Sequence, residues 1–209
     1  MKEIKKGYFN VRTEKNKLKI DYMSGFIEKS KINVDKPLFD KMCKDGCVNY
    51  NKKYSCPPFS PNFKIISKNY EGLFVIMFLC SLNQISSTEY NQVRIANVVM
   101  KSKLDTLMRN LEEKTGLKYL STGSCRLCKP CKLKLKQPCK HPNKKRYSLE
   151  STGVDCDELT KKLFDISLQW YKNKKSPEYT SVLCGLICNK KDLKIIEKNL
   201  NLIINSFGC

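Results

Sequence analysis

The run Leu73-Phe74-Val75-Ile76-Met77-Phe78-Leu79 has no polar interruption, which predicts a central β-strand covered on both faces. The apolar stretch from Gly72 to Cys80 has strand length and is too short to cross a bilayer. The first 35 residues alternate only weakly, at Tyr8, Val11, Leu18, Ile20, Tyr22, Phe26 and Ile27, and predict one or two short strands or an irregular lead-in. Asp35-Lys36-Pro37 opens a short helix over Leu38 to Cys43, and a brief helix is expected over Asn62 to Asn69. Val93, Ala96, Met100, Leu104, Leu107 and Leu111 recur three or four apart and form the buried stripe of the longest helix. Ser86 and Glu89 have capping-box spacing for its start, and Gly116 is its stop.

A short strand over Leu117 to Leu120 follows, then a helix from Asp155-Cys156-Asp157-Glu158 through Ile166 and a buried strand over Tyr179 to Ile187. Leu193, Ile196, Leu200 and Ile203 give a last helix over Asp192 to Ile204. Strands alternating with helices predict an α/β fold, a small sheet with flanking helices. At 209 residues the chain fits a single domain spanning 1–209 and can bury a core without disulfide staples.

The stretches without periodicity hold the chemistry. Seven of the twelve cysteines fall in two loops, Cys43, Cys47 and Cys56 within 43–58, and Cys125, Cys128, Cys131 and Cys139 within 123–146. The second loop contains Pro130, Pro138 and Pro142 but few large apolar residues, so a metal centre would have to organise it. Its four cysteines suit a [4Fe-4S] cluster; zinc is the alternative, since four thiolates also make a tetrahedral structural site. Zinc ribbons bring paired thiols from two knuckles, whereas three thiols at three-residue steps and a more distant fourth follow the ferredoxin-like pattern. The first array has three cysteines only. If it holds a cluster, one iron is open to a substrate; if zinc, the open position takes a water. A second partition stays open, because Cys56-Pro57 has the form of the Cys-Pro end of ferredoxin runs and Cys56 could join Cys125, Cys128 and Cys131. One or two clusters are therefore compatible with the spacing.

Charge adds less than its size suggests. The formal net charge is +20, yet a cluster of four thiolates in its oxidised state carries about −2 and offsets part of it. Nine Lys and Arg residues lie between Gly123 and Arg146 with no acidic residue among them. They compensate thiolates and an anionic cluster, or form a docking surface for an acidic redox partner or RNA, with Tyr119 and Tyr147 able to stack on bases. His141, the only histidine, is either a further ligand, a proton donor or a group near the ligands. Cys80, Cys184 and Cys188 read as small hydrophobes in strands, Cys156 as a helix-start thiol of lowered pKa, and Cys209 as incidental. The opening Met1-Lys2-Glu3-Ile4-Lys5-Lys6 leads into polar sequence, without the apolar run of a secretory signal, so free thiols in a reducing cytoplasm and no membrane association are expected.

Cys43-Lys-Asp-Gly-Cys47 with Tyr50 and Cys56-Pro57-Pro58, then Gly123-Ser124-Cys125-Arg-Leu-Cys128-Lys-Pro-Cys131, then Pro138-Cys139-Lys140-His141-Pro142 through Arg146, Ser148, Glu150, Gly153 and Asp155, resemble a family of predicted metal-binding proteins, domain of unknown function 2284. The chain departs from the usual family pattern at Tyr54, Lys140 and Cys156, where tryptophan, arginine and an aliphatic residue are common. The resemblance implies metal or cluster binding and no particular reaction. Arg146, Ser148 and Glu150 alternate, which sets them on one side of an extended segment to bind a small-molecule substrate or to hydrogen-bond the cluster loop. Together these readings predict an iron–sulfur protein with a redox or cluster-dependent enzymatic role such as sulfur transfer or desulfuration. The alternatives are a noncatalytic RNA-binding module and a simple electron carrier.

Overall fold

Lys5–Arg12 (β1) and Lys17–Glu28 (β2) form an antiparallel hairpin in which Phe9 faces Ile20 and Val11 faces Leu18. The expected short strands or irregular lead-in are thus two full strands. Their alternation is clear only around those buried pairs, because the start of β1 is partly exposed and the second half of β2 is covered on both faces in part. The computed structural model describes residues 4–14 and 16–208; the opening Met1-Lys2-Glu3 and Cys209, read above, lie outside the described residues.

Lys36–Gly46 (α1) starts where Asp35 Oδ1 accepts from the Leu38 N–H at 3.0 Å, with Pro37 in the first turn. It runs longer than predicted and carries Cys43 in its last turn. Phe63–Ile66 (α2) is shorter than predicted, since the Ser67 N–H and hydroxyl both donate back to the Phe63 carbonyl and close the turn. Gly72–Ser81 (β3) is the predicted central strand and pairs antiparallel with β2, Phe26 against Phe74.

Glu89–Thr115 (α3) buries Ala96, Met100, Leu104, Leu107, Met108 and Leu111, with Val93 packed at the edge of that stripe. Gly116, at φ +72°, ends it by donating to the Glu112 carbonyl. The Ser86 capping box does not form. Thr88 occupies the cap position, and the Glu89 carboxylate accepts instead from the Ser176 N–H of a distant loop. Tyr119–Leu120 (β4) is a two-residue strand. Cys156–Phe164 (α4) is capped by Asp155, which accepts from the Glu158 N–H at 2.9 Å, and stops at Asp165 in the left-handed region. Tyr179–Cys188 (β5) and Leu193–Asn205 (α5) follow as predicted to within a residue or so.

The strand order is β1-β2-β3-β5-β4, and every pairing is antiparallel. Alternation along β3 divides the core. Phe74, Ile76, Phe78 and Cys80 pack with α3 and α5 on one face, and Leu73, Val75 and Met77 pack with α4, Phe63 and Leu149 on the other. The fold is α/β with a small sheet and flanking helices; the second cysteine array lies between β4 and α4, while the first begins inside α1 with Cys43. Among the described residues, no helix is long and apolar enough to cross a membrane.

Two clamps set the cysteine loops in place. The second loop is closed at its base where the Ser121 N–H donates to the Tyr147 carbonyl at 2.7 Å and the Leu149 N–H returns to Ser121 at 3.3 Å. The chain after it then packs on the start of α1: Asp35 N–H donates to the Gly153 carbonyl, Asp155 N–H to that of Asn33, and Val34 bridges Val154. Gly153 sits at φ +91°, and a Cβ there would lie 2.7 Å from the Lys36 Cα. Only glycine allows this approach.

Candidate metal centre

The second array wraps around a small cavity. Cys125, Cys128, Cys131 and Cys139 all line it together with His141, and its volume is about 20 Å³. The wall opposite comes from the first loop, through Lys53, Tyr54 and Ser55. Ser55 Oγ accepts from the Cys125 N–H at 3.0 Å, and Lys53 Nζ donates to Ser124 Oγ at 2.9 Å and the Cys125 carbonyl at 3.0 Å. Tyr54 Oη donates to the Gln137 carbonyl at 2.8 Å, and Lys145 lies over the rings of both Tyr54 and Tyr147. The arrays, about 70 residues apart in sequence, are thus stitched side to side.

In the first array Cys43 lies in the last turn of α1 and Cys47 caps the helix, donating its N–H to the Cys43 carbonyl at 3.0 Å. Consecutive turns then return the chain so that Cys56 is buried. Burial raises the Cys43 thiol pKa, and the charges of Cys47 and Cys56 raise it further. Burial likewise raises that of Cys56, against the Ser55 hydroxyl beside it, and Cys47 and Cys125 add to the rise. The three thiols therefore lie within electrostatic reach of one another, and Cys56 also feels Cys125.

Among the described residues no three His, Cys, Asp or Glu side chains converge closely enough to hold a metal ion as they stand. The cysteines share a wall and not a finished cage. The donor set nevertheless fits a thiolate-bound metal, because four soft ligands and a single imidazole line one cavity without a carboxylate among them. A loop with so little apolar content adjusts readily as a metal displaces the thiol protons.

Other candidates resolve individually. Arg146 turns out to tie the loop down: Nε donates to Glu112 Oε2 at 2.9 Å, Nη2 to Glu112 Oε1, and Nη1 to the carbonyls of Asn143 and Lys145 at 2.7 Å each. Ser148 is buried, its hydroxyl accepting from the Ser151 N–H. The extended segment ends there, because Leu149 is helical and Glu150–Thr152 form a 3-10 turn, so Glu150 does not share a strand face with the other two. Its carboxylate turns toward the Cys156 thiol instead.

Cys156 is not an activated thiol. It is buried, and that burial, with the charges of Glu150 and Asp155, raises its pKa well above the usual range. Desolvation outweighs the helix terminus. Cys80, Cys184 and Cys188 are buried in strands as expected. Tyr119 is 1% exposed, so it is closed to stacking on bases. Its phenol donates to Asp105 Oδ1 at 2.7 Å, and burial first, then that bond, hold its pKa far above the usual value.

Sequence reasoning missed Lys53, Ser55 and Ser124, whose ordinary residue types gave no signal. It also missed Asp105, Arg109 and Glu112, half-buried on the face of α3 that meets Tyr119 and Arg146. The i,i+4 spacing of Asp105 and Arg109 was readable, but its link to Tyr119 was not.

No curated protein and no solved structure matches the chain. Residues 25–186 match the family described as predicted metal-binding protein, DUF2284, and that segment holds both arrays, the stitching residues between them and the Gly153 clamp. With most of its length matched, the chain belongs to this family of predicted metal-binding proteins.

Proposed function

We propose that the chain is an iron–sulfur protein in which Cys125, Cys128, Cys131 and Cys139 hold one [4Fe-4S] cluster and Cys43, Cys47 and Cys56 hold a second site with one open position. The observation that carries this reading is the shared cavity wall of the four cysteines, from which Cys56 is absent. Cys43 is influenced by both Cys47 and Cys56, in keeping with a three-cysteine site, and Cys56 is the thiol through which that site also meets Cys125 of the second array. When bound at an incomplete ligand set, an iron–sulfur cluster supplies an open iron suited to redox or sulfur-handling chemistry, such as desulfuration or sulfur transfer. The chain's own residues hold the ligand loops: Lys53 and Ser55 fix the Cys125 backbone, and Lys145 contributes positive charge beside thiolates. His141 stands at the wall as a further ligand or a hydrogen-bond donor to one.

Anaerobically isolated protein is expected to absorb broadly near about 400 nm and to carry about eight iron atoms with matching acid-labile sulfide per chain. Stoichiometric zinc without sulfide would overturn the iron–sulfur reading and leave a zinc protein.

The exposed lysines of the second loop favour one other reading, a noncatalytic module that binds RNA. Lys134, Lys136 and Lys144 are exposed and make no ion pair among the described residues. RNA binding that steepens at low salt and disappears when Lys132, Lys134, Lys136, Lys144 and Lys145 become Glu would establish it. Absence of binding at low salt would remove it.

A further inference from the structure

Beside the cysteine cavity, and sharing Cys125 and Leu127 with it, lies a second and more polar cavity of about 130 Å³. At about 30 Å³ per water it has room for about four waters or one small ion with its contacts. Its base is a rigid network. Asp105 accepts from the Tyr119 phenol through one oxygen and from Arg109 Nε at 3.0 Å through the other, and the guanidiniums of Arg109 and Arg146 lie 5.9 and 5.6 Å from the Tyr119 ring centre.

The donors of this cavity are unequally occupied. Arg146 spends four of its five N–H groups on Glu112 and two loop carbonyls. Arg109 uses only Nε, so both of its Nη groups are free of hydrogen bonds among the described residues. Arg126, exposed at the mouth, makes none. Ser124 accepts from Lys53 and so keeps its own hydroxyl proton to donate. Three guanidiniums meet two carboxylates, Asp105 and Glu112, with the Cys125 thiol and the Ser121 and Thr122 hydroxyls also on the wall, and the charged groups left without a hydrogen-bond partner among the described residues, on Arg109 and Arg126, are donors.

We infer that this cavity is a binding site for a small oxyanion, a carboxylate, phosphate or sulfate group, gripped by Arg109 Nη1 and Nη2, Arg126 and the Ser124 hydroxyl. Guanidinium forks match the paired oxygens of such groups in a way a point charge does not. The site stands on its own residues. That its ligand lies against a metal centre rests on the function proposed above, and it would make the substrate or ligand of that centre an anion.

The test is calorimetric titration of the protein as isolated, metal included, with inorganic phosphate, with acetate and with chloride. Saturable binding of one phosphate or acetate per chain is expected, with chloride at least about tenfold weaker; which of the two oxyanions binds tighter tells phosphate from carboxylate. Arg126→Gln, at an exposed position where folding is not at stake, should weaken binding about tenfold, and Arg126→Lys should restore only part of it. Lys64→Gln and Lys198→Gln, which remove the same charge from exposed sites elsewhere, should leave it unchanged. No saturable site, equal affinity for chloride, or equal loss in the lysine variants would overturn the assignment. Metal and sulfide content, measured on the same samples, reports separately on the iron–sulfur reading.

Discussion

Gly153 shows how one residue carries the junction of the two cysteine loops. Its φ of +91° and the 2.7 Å approach of a would-be Cβ to Lys36 Cα act together. Gly153→Ala should therefore cost on the order of 2 kcal/mol or more, read as a fall in denaturation midpoint without change in the denaturant slope. The Arg146–Glu112 pair is mostly buried, with side chains 12% and 18% exposed. Glu112→Ala leaves a desolvated guanidinium still bound to loop carbonyls, and a loss of about 3 kcal/mol is expected from thermal or chemical unfolding. Cys56→Ser tests the cluster division: iron content should fall by about half while the second-array cluster keeps its absorption. Loss of all iron would instead assign Cys56 to the second array. Some of these roles were open to the sequence. The cysteine spacing and the Asp155 cap were, because each depends on residues a few positions apart. Gly153 was visible as a matching position, but its reason, the backbone of Lys36, lies more than a hundred residues away.

At the scale of elements, the strands shelter thiols that the loops expose. Burial pushes Cys80 in β3 up to about 11 and Cys188 in β5 up to about 12, from an ordinary 9.0. In the unfolded chain these thiols ionise from about pH 9, so above that pH the unfolded state holds fewer protons and stability falls as pH rises toward the folded values. Each thiol contributes a slope of up to about 1.4 kcal/mol per pH unit, which fades away over about one to two pH units below pH 9. Cys188→Ala should flatten the decline in unfolding free energy measured between about pH 9 and 12. Helix boundaries show where local signals end. Gly116 and Pro37 mark their positions because the backbone itself requires them, whereas the Ser86–Glu89 pairing fails because the Ser176 loop takes the Glu89 carboxylate. A capping box is a local preference worth about 1 kcal/mol, and a long-range contact overrides it.

For the whole molecule, the sheet and the metal loops are separate in their support. The core on both faces of β3 is apolar and complete in itself, while loops 43–58 and 123–146 are held by a few polar bonds and the two clamps. Chelation of the metal should therefore raise amide hydrogen exchange in the two loops and leave β3 and β5 protected. The apolar run announced β3, but nothing in it announced that the sheet is antiparallel throughout or that β5 lies between β3 and β4. Neighbour order depends on which strands meet after the whole chain has collapsed.

That order also governs the protein's birth. β5 is the last of the five strands to leave the ribosome, yet β4 has no other partner in the sheet. Until residues 179–188 emerge, β4, which leads into the second array, has no strand to pair with. A metal held by the second array, as proposed above, is thus expected to be loaded only after β5 has joined the sheet.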